Sequence, residues 1–329
     1  MTQPRLCIGV PVYNGASAGF AEMIESLLAQ TFGDFEIFIT DNCSTDETGD
    51  IARRFAEQDK RVHYLRNETN IGAYPNFNRA LEVANPQTYF KWAAHDDLYK
   101  PTFLEKCIEV LDREPEVVLA HTRVDVVDET EGRMLDQHPD YIHGRQSTEI
   151  DEYGRPVWLM GPLNLIESPD PVKRYDEFLN RMVACFQLFA VVRASALRGI
   201  TMRPYLGSDR TLLAELALKG PFRQVPERLY INRYHKTVTR LRPIKEQNLW
   251  IGGMAKGLSP RRQQQIDLLR APFEAKLTAA ECWGCFSVAT QHFARRETGR
   301  LVRTLFSSFP GLARPGILAS ATVGMPSWF

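Results

Sequence analysis

Two adjacent carboxylates, Asp96 and Asp97, follow directly on the apolar run Tyr89-Phe90-Lys91-Trp92-Ala93-Ala94. Side by side at the end of a buried segment they repel each other, and a cation has to offset that cost. A hard divalent ion with oxygen ligands is the natural partner, so the chemistry these residues suggest is Mn2+ or Mg2+ shared with phosphate oxygens. Other polar stretches interrupt apolar runs in the same way: Pro11-Val12-Tyr13-Asn14-Gly15, Asp41-Asn42-Cys43-Ser44-Thr45-Asp46, Ser208-Asp209 and Arg233-Tyr234-His235. Asp209 opens a helical stretch whose dipole would keep a carboxylate ionised, as a general base requires. Taken alone, the same Asp is simply a residue that starts a helix. Neutral His235 can bind a metal or a diphosphate and Arg233 can pair with phosphate, although a lone His at a strand end is otherwise an exposed residue.

Something has to hold these groups together. From Arg5 to about Thr122, short β-branched runs alternate with helical stretches, the pattern of βαβ units around a mostly parallel central sheet flanked by helices. The spacing predicts strands at Leu6–Val12, Phe35–Thr40, Val62–Leu65, Tyr89–Ala94 and Val117–Thr122. Helices fit between them: one over Ala18–Gln30, one opened by a Ser44/Glu47 capping box, and one starting at Pro101. Residues Asp128–Pro171 break the rhythm and read as a long excursion. Regular structure returns as a helix at Val172–Met182, a strand at Phe186–Val192, a helix at Asp209–Leu218 ended by Gly220, and a strand at Arg228–Asn232. Beyond Arg240 only helices are predicted, at Ser259–Leu277, Ala279–Ala294 and Gly299–Phe306. The chain thus divides into an α/β domain over residues 1–240 and a helical region over 241–329. In such a sheet ligands bind at the carboxyl ends of the strands, and every polar stretch above except Ser208-Asp209, which starts a helix, lies at one of those ends.

Composition sets the outer limits. The 329 residues carry 40 Lys and Arg against 40 Asp and Glu, with 44% hydrophobic residues, which excludes disordered, collagen-like and membrane-spanning classes. The neutral total hides an asymmetry: residues 241–329 hold twelve basic residues against five acids, a surplus of seven that the rest of the chain cancels. Charge balance leaves no electrostatic case for a nucleic-acid partner. The basic tail, with aromatic residues interleaved among its arginines, is either a peripheral contact for an anionic membrane or a helical cap on the domain or on a second subunit. Six cysteines make no disulfide framework here, and Cys282-Trp283-Gly284-Cys285 lacks the second pair a zinc site needs. No basic and apolar leader opens the chain and no run reaches the roughly 20 residues of a membrane span, so the expected location is the cytoplasm, including the inner face of its membrane.

Neither G-x-G-x-x-G after the first strand nor G-x-x-x-x-G-K-[ST] is present, which argues against a dinucleotide dehydrogenase or a P-loop NTPase. The ordered set Pro11-Val12-Tyr13-Asn14, Asp41-Asn42-x-Ser44-x-Asp46, Asn70-Ile71-Gly72, Asp96-Asp97 and Ser208-Asp209 instead resembles the inverting family-2 glycosyltransferases, which have the GT-A fold. The resemblance covers roughly Pro4 to Arg240. It implies a nucleotide-sugar donor, with Pro11, Tyr13 and Asp41 around the base, Asn14 and Ser44 in the same donor-binding loops, and Asn70 and Gly72 in the loop that closes over the donor. Asp96 and Asp97 would take the place of the D-x-D-type motif, with His235 as a further metal ligand and Arg233 at the diphosphate. Asp209 would be the base of a single displacement on a glycan or lipid-linked acceptor. Two departures stand out: Ala94 replaces the first acid of the common D-x-D-D pattern, and an Arg usual after the glycine is represented by Arg79. The loss of that acid leaves a non-catalytic sugar-nucleotide-binding protein as the alternative. A nucleotidyltransferase would need a glycine- and basic-rich first loop, and a processive synthase would need membrane helices and Q-x-x-R-W.

Overall fold

The computed structural model describes residues 4–128, 144–150, 156–160, 166–182, 185–234, 250–251 and 259–308. Its centre is β1 (Leu6–Val12), all seven residues of which are buried, as a strand covered on both faces requires. β2 (Phe35–Asp41) pairs with it in parallel, and β3 (Val62–Arg66) continues outward from β2. β4 (Tyr89–Trp92) joins β1 on the opposite edge, also in parallel. The strand order therefore reverses between β1 and β4, and this opens a crevice at their carboxyl ends.

The sheet continues past β4 through β9 (Val191–Arg193), β6 (Leu119–Asp128), β10 (Phe222–Tyr234) and the two-residue β5 (Leu98–Tyr99). β9 is antiparallel to both neighbours, β6 and β10 run parallel, and β5 is antiparallel to β10. Two strands appear inside the expected excursion: β7 (Gly144–Ile150) pairs with β8 (Pro156–Met160), and β8 with β6.

Helices cover both faces. α1 (Phe20–Leu28), α2 (Thr48–Gln58) and α4 (Phe103–Arg113) bury Phe20, Met23, Phe55, Phe103 and Leu104 against one face. α3 (Ala73–Ala84), α5 (Pro171–Arg181) and α7 (Ser208–Lys219) cover the other, with the short α6 (Ala194–Leu197) between them in sequence. Gly9 permits the close approach of α3, because a Cβ there would lie 2.8 Å from Phe90 and 3.0 Å from Ala80. α8 (Pro260–Glu274) and α9 (Ala279–Ser308) bury Leu268, Ala271, Cys285 and Ala289 in the same apolar cluster as α5 and α7. The six cysteines are free, and the Cys282–Cys285 pair faces backbone carbonyls of Pro272 and Pro171.

Several expectations change for local reasons. Residues Phe186–Phe189 form a 3-10 turn, with Phe186 and Phe189 packed on Tyr230, so strand pairing starts only at Val191. β10 is much longer than its expected core, because register shifts around Val225–Tyr230 take up Pro226 without ending the pairing. The last two expected helices are one, α9. α4 begins at Phe103, two residues after Pro101.

Two buried histidines make the fold acid-sensitive. Burial pushes His121, whose Nδ1 lies 3.2 Å from the Thr122 carbonyl oxygen, down to about 4. Burial, with the charges of Arg296 and Arg210, lowers His292 to about 3. Both are neutral in the folded chain, whereas the unfolded chain takes up protons below its ordinary value of about 6.5, so stability drops as pH falls from there toward 4. For His121 the loss should be about 3 kcal/mol at about 1.4 kcal/mol per unit. Urea midpoints at pH 7 and pH 4.5 should show it, and His121→Gln should flatten the dependence; an unchanged slope in that variant would exclude His121 as a source.

Candidate active site

The loops at the ends of β1 and β2 are fastened to each other. The Asn14 amide donates to Ser44 Oγ (3.0 Å), and the Thr45 amide donates to Asn14 Oδ1 (2.8 Å). Gly15 and Ala16 donate to Thr48 Oγ1 and Asp46 Oδ2. Asn14 and Ser44 thus spend their side chains on the shape of the crevice. The expected Ser44/Glu47 capping box does not form: the Ser44 hydroxyl is already engaged, α2 starts four residues later, and Asp46 accepts the Thr48 amide at 3.0 Å. Tyr13, 39% exposed, presents an aromatic surface at this edge, and Pro11 stays buried in β1 opposite Thr40.

Asp41 is fully buried at the end of β2. Its Oδ1 accepts the Ser44 amide (2.8 Å), while Oδ2 accepts Tyr64 (2.8 Å) and Arg66 (2.7 Å). Burial and the Asp41 charge raise the Tyr64 phenol, which keeps its proton for this bond. The most exposed member of the trio is Arg66, whose other nitrogen holds the Ser44 carbonyl. Arg66 was not among the sequence candidates; it lies one residue beyond the expected end of its strand.

An amide network then joins β2 to the Asn70–Gly72 loop. Asn42 donates to Asn70 Oδ1 (2.8 Å) and accepts from the Ile71 amide and from Asn67. Asn70 Oδ1 also accepts the Gly72 amide (2.9 Å). Gly72 sits at φ 89°, a left-handed value that favours glycine, and α3 begins immediately after it. At the far side of α3, the Tyr74 hydroxyl accepts the Gly207 amide (3.3 Å), and Asn78 both donates to and accepts from the Met202 backbone. The segment leading to Asp209 is therefore tied to the helix that the donor loop opens. Asp209 is the second residue of α7, half-buried, after Gly207 at φ 90°. Arg210 anchors this helix start by donating to the Met182 and Leu179 carbonyls. Glu215, further along the same helix, is mostly buried and paired with Arg203.

The two acids at the end of β4 take different parts. Asp96 is half-buried. Asp97 is 1% exposed, and its oxygens accept the Tyr230 hydroxyl, Asn232 Nδ2 (2.9 Å) and the Arg233 amide (3.0 Å). Burial and the neighbouring Asp96 charge push Asp97 upward, against the pull of those three donors. Of the two acids expected at a metal, Asp97 already accepts three protein donors, and Asp96 is the more accessible. Lys91 lies behind the pair, fully buried: its ammonium donates to the Phe189 carbonyl and sits 3.9 Å from the Tyr99 ring centre. Tyr99 in turn stacks on Tyr230 at 5.4 Å. Burial lowers Lys91 to about 7, while Asp97 is among the charges favouring its protonation.

Arg233 turns its guanidinium onto Gly19, where a Cβ would come within 1.9 Å, and pairs with Glu22 at 2.6 Å. It remains at the crevice edge, since Gly19 follows the β1 loop and His95 packs against Gly15 of that loop. His235 lies outside the described residues. The Arg79 Nε is buried without a hydrogen-bond partner among the described residues. No group of three or more His, Cys, Asp or Glu among those residues is arranged to hold a metal. Asp96 remains as one carboxylate at the crevice, which fits an ion whose other ligands are substrate phosphates and water.

Residues 7–166 match the model of glycosyl transferase family 2. Among curated relatives, an uncharacterised protein of Sinorhizobium fredii is 37% identical over 141 residues, which are 42% of this chain and 15% of that protein. An uncharacterised glycosyltransferase of Rickettsia typhi is 30% identical over 149 residues, 45% of each chain. A putative teichuronic acid biosynthesis glycosyltransferase of Bacillus subtilis is 31% identical over 150 residues, 46% of this chain and 57% of the relative. The chain thus matches between about a seventh and somewhat over half of these relatives' lengths. A crystal structure of S. aureus TarS in complex with UDP superposes with a TM-score of 0.56 at 16% identity, covering 88% of this chain and 72% of that one. A mannosyltransferase of Pyrobaculum calidifontis in complex with GDP-Man and Mn2+ gives 0.50 at 17% identity, covering 96% and 82%. A parallel sheet reversing at β1 and β4, loops fastened around that crevice and the matching family model together identify residues 7–166 as a glycosyl transferase family 2 region, within a fold of the GT-A type.

Proposed function

We propose that this chain transfers a sugar from a nucleotide-diphosphate donor, UDP-linked in the first instance, to a hydroxyl of a glycan or lipid-linked acceptor in cell-surface polysaccharide or glycoconjugate synthesis. The observation that carries this reading is the half-buried Asp209, tied through Gly207–Tyr74 and Met202–Asn78 to the helix opened by the donor loop. The TarS complexes with UDP and UDP-GlcNAc and the teichuronic acid relative support the donor and pathway class.

In this reading Tyr13 stacks on the base and Arg66, held by Asp41, contacts the nucleotide. Asn70 and Gly72 shape the loop over the donor, and Arg233 at the crevice edge pairs with the diphosphate. Asp209, at the start of α7, takes the proton of the acceptor hydroxyl as that oxygen attacks the anomeric carbon from the face opposite the nucleotide, so the configuration inverts. Asp96 would hold the divalent ion, which when bound neutralises charge on the departing diphosphate. Asp97 serves by holding Asp96 in place. The alternative, a protein that binds a sugar nucleotide without transfer, draws on the combination of Ala94 and a committed Asp97, which leaves one acid facing the crevice. No helix among the described residues is long and apolar enough to cross a membrane; a peripheral contact through the basic C-terminal region belongs to the proposal.

Asp209→Asn should lower transfer by roughly 10²–10⁴-fold or more while UDP-sugar affinity measured by calorimetry stays within a few-fold; near-normal turnover would remove Asp209 from the mechanism. Asp96→Asn and Tyr230→Phe should separate cleanly. The first should abolish the Mn2+-dependent part of donor binding with little change in unfolding free energy. The second should cost about 1–3 kcal/mol of stability by leaving Asp97 a donor short. Equal effects of the two on donor binding would contradict the division of labour between the acids. Flotation with phosphatidylglycerol vesicles at low and high salt tests the membrane contact, which predicts salt-sensitive association.

A further inference from the structure

The loop after β1 has most of its backbone donors committed within the protein. The amides of Asn14, Gly15, Ala16 and Ala18 donate to Ser44 Oγ, Thr48 Oγ1, Asp46 Oδ2 and the Gly15 carbonyl in turn. A nest of free N–H groups, by which many glycine-containing loops hold phosphate, is therefore closed here. Donors for an anion at this end of the sheet have to come from side chains.

Two side chains reach the loop from other strands, and each rests on a glycine. The Arg233 guanidinium, from β10, fills the space beside Gly19, and the His95 imidazole, from the end of β4, fills the space beside Gly15. A Cβ on Gly15 would lie 2.7 Å from His95 Cδ2 and 2.8 Å from Val12 Cγ2. Gly15 has φ −95°, a value open to any residue, so the glycine there makes room for the ring rather than for an unusual backbone. Gly15 and Gly19 bracket the short 3-10 turn Ala16–Ala18, so His95 and Arg233 stand at its two ends. Arg233 shares its charge with Glu22. His95 is half-buried, and its ring nitrogens have no hydrogen-bond partner among the described residues.

We propose that His95 is a donor-binding residue whose imidazole N–H donates to the diphosphate of the nucleotide sugar in the crevice between β1 and β4. The inference rests on the glycosyl-transfer reading above and adds a residue to it. The ring joins the two strand ends between which the order reverses, the place where an open sheet of this kind binds its ligand. An imidazole carries an N–H in either protonation state, so the contact does not depend on its charge. One divalent ion shared with Asp96 leaves a single net positive charge to face the diphosphate. Side-chain donors have to meet the remaining oxygens, and hydrogen bonds to an anion are the stronger kind.

The test is the binding of UDP and of uridine to the full chain, by calorimetry, in Mn2+ and again in EDTA. His95→Phe keeps a ring against Gly15 and removes both nitrogens. It should weaken UDP roughly tenfold or more in both conditions and leave uridine within about twofold. His95→Gln, which restores an N–H, should hold UDP within about threefold of the unaltered chain. Should the Phe variant fail to fold, Gly15→Ala, which pushes the ring aside without altering it, should weaken UDP with the same selectivity. Uridine weakening in step with UDP would reduce His95 to a support for the loop, and a loss confined to Mn2+ would make it a metal ligand; either result overturns the proposal, as does unchanged UDP affinity in His95→Phe. The unaltered chain separates the two readings. If it binds neither UDP nor uridine, the UDP-linked donor reading itself falls; if it binds both and His95→Phe keeps the difference between them, only the role of His95 does.

Discussion

A buried carboxylate organises this molecule. Asp97 gives up solvent for three donors, and all three belong to β10 or its end: Tyr230, Asn232 and the Arg233 amide. An ionised group removed from water is costly unless its hydrogen bonds are complete, so the segment after β4 can occupy only the position where those donors converge. That fixes the pairing of β5 with β10, and with it the direction in which Asp96 leaves the sheet. Lys91 works from below, where cation–π contacts with Tyr99 and Phe103 hold a buried ammonium close enough to act on Asp97 electrostatically. The repulsion between adjacent acids is thus met partly inside the protein, and the divalent ion proposed for the crevice has one carboxylate to meet rather than two.

The same economy recurs along the crevice. Asp41 is as buried as Asp97 and likewise acts through neighbours, placing Arg66 at the surface. Asn42 satisfies the Asn70–Gly72 loop through both ends of its amide. A loop held this way loses little conformational freedom when a ligand arrives, which is how positioning residues contribute to binding without touching the ligand. Many of the polar residues at these strand ends form a frame, Asn14, Asp46 and Asn70 being exposed yet bonded to neighbouring loops, while Tyr13 and Arg66 are exposed and Asp96 and Asp209 half-buried.

How much of this could be read from the chain alone follows from the range of each interaction. β1, α1 and the junctions at Asn14, Asp41 and Asp96 were legible because period-2 and period-3.6 patterns are local. The fates of Asp97 and Lys91 were not, because their partners lie 133 and 98 residues away and adjacency in sequence says nothing about which acid turns inward. Arg66 is hidden for a smaller reason: it lies one residue beyond the strand end that the pattern predicts, and its role depends on Asp41, 25 residues away. The burial of Glu215 carries no local signal either, because its helix gives almost no amphipathic pattern, being covered on more than one side by α5 and α8. Composition cues for loops, Gly, Pro and Asp, concealed β7 and β8, whose pairing depends on β6 rather than on their own sequence.

The C-terminal helices show why a boundary drawn at a change in composition can mislead about mechanism. Their basic surplus marks a difference from the α/β part, yet α8 sends Asp267 into a buried network with Tyr205, Thr211 and Arg203, and Arg203 also holds Glu215 of α7. Buried networks of this kind tolerate few alternative arrangements, since a displaced member leaves its partners unsatisfied. The helix start bearing Asp209 is therefore fixed from two sides: α3 ties it to the donor loop, and α8 ties it to a surface rich in arginine. The base proposed at Asp209 would have to meet a hydroxyl of one substrate beside a sugar carbon of another, and the rigid element that would refer the two to each other is α7, whose start is bonded to both α3 and α8.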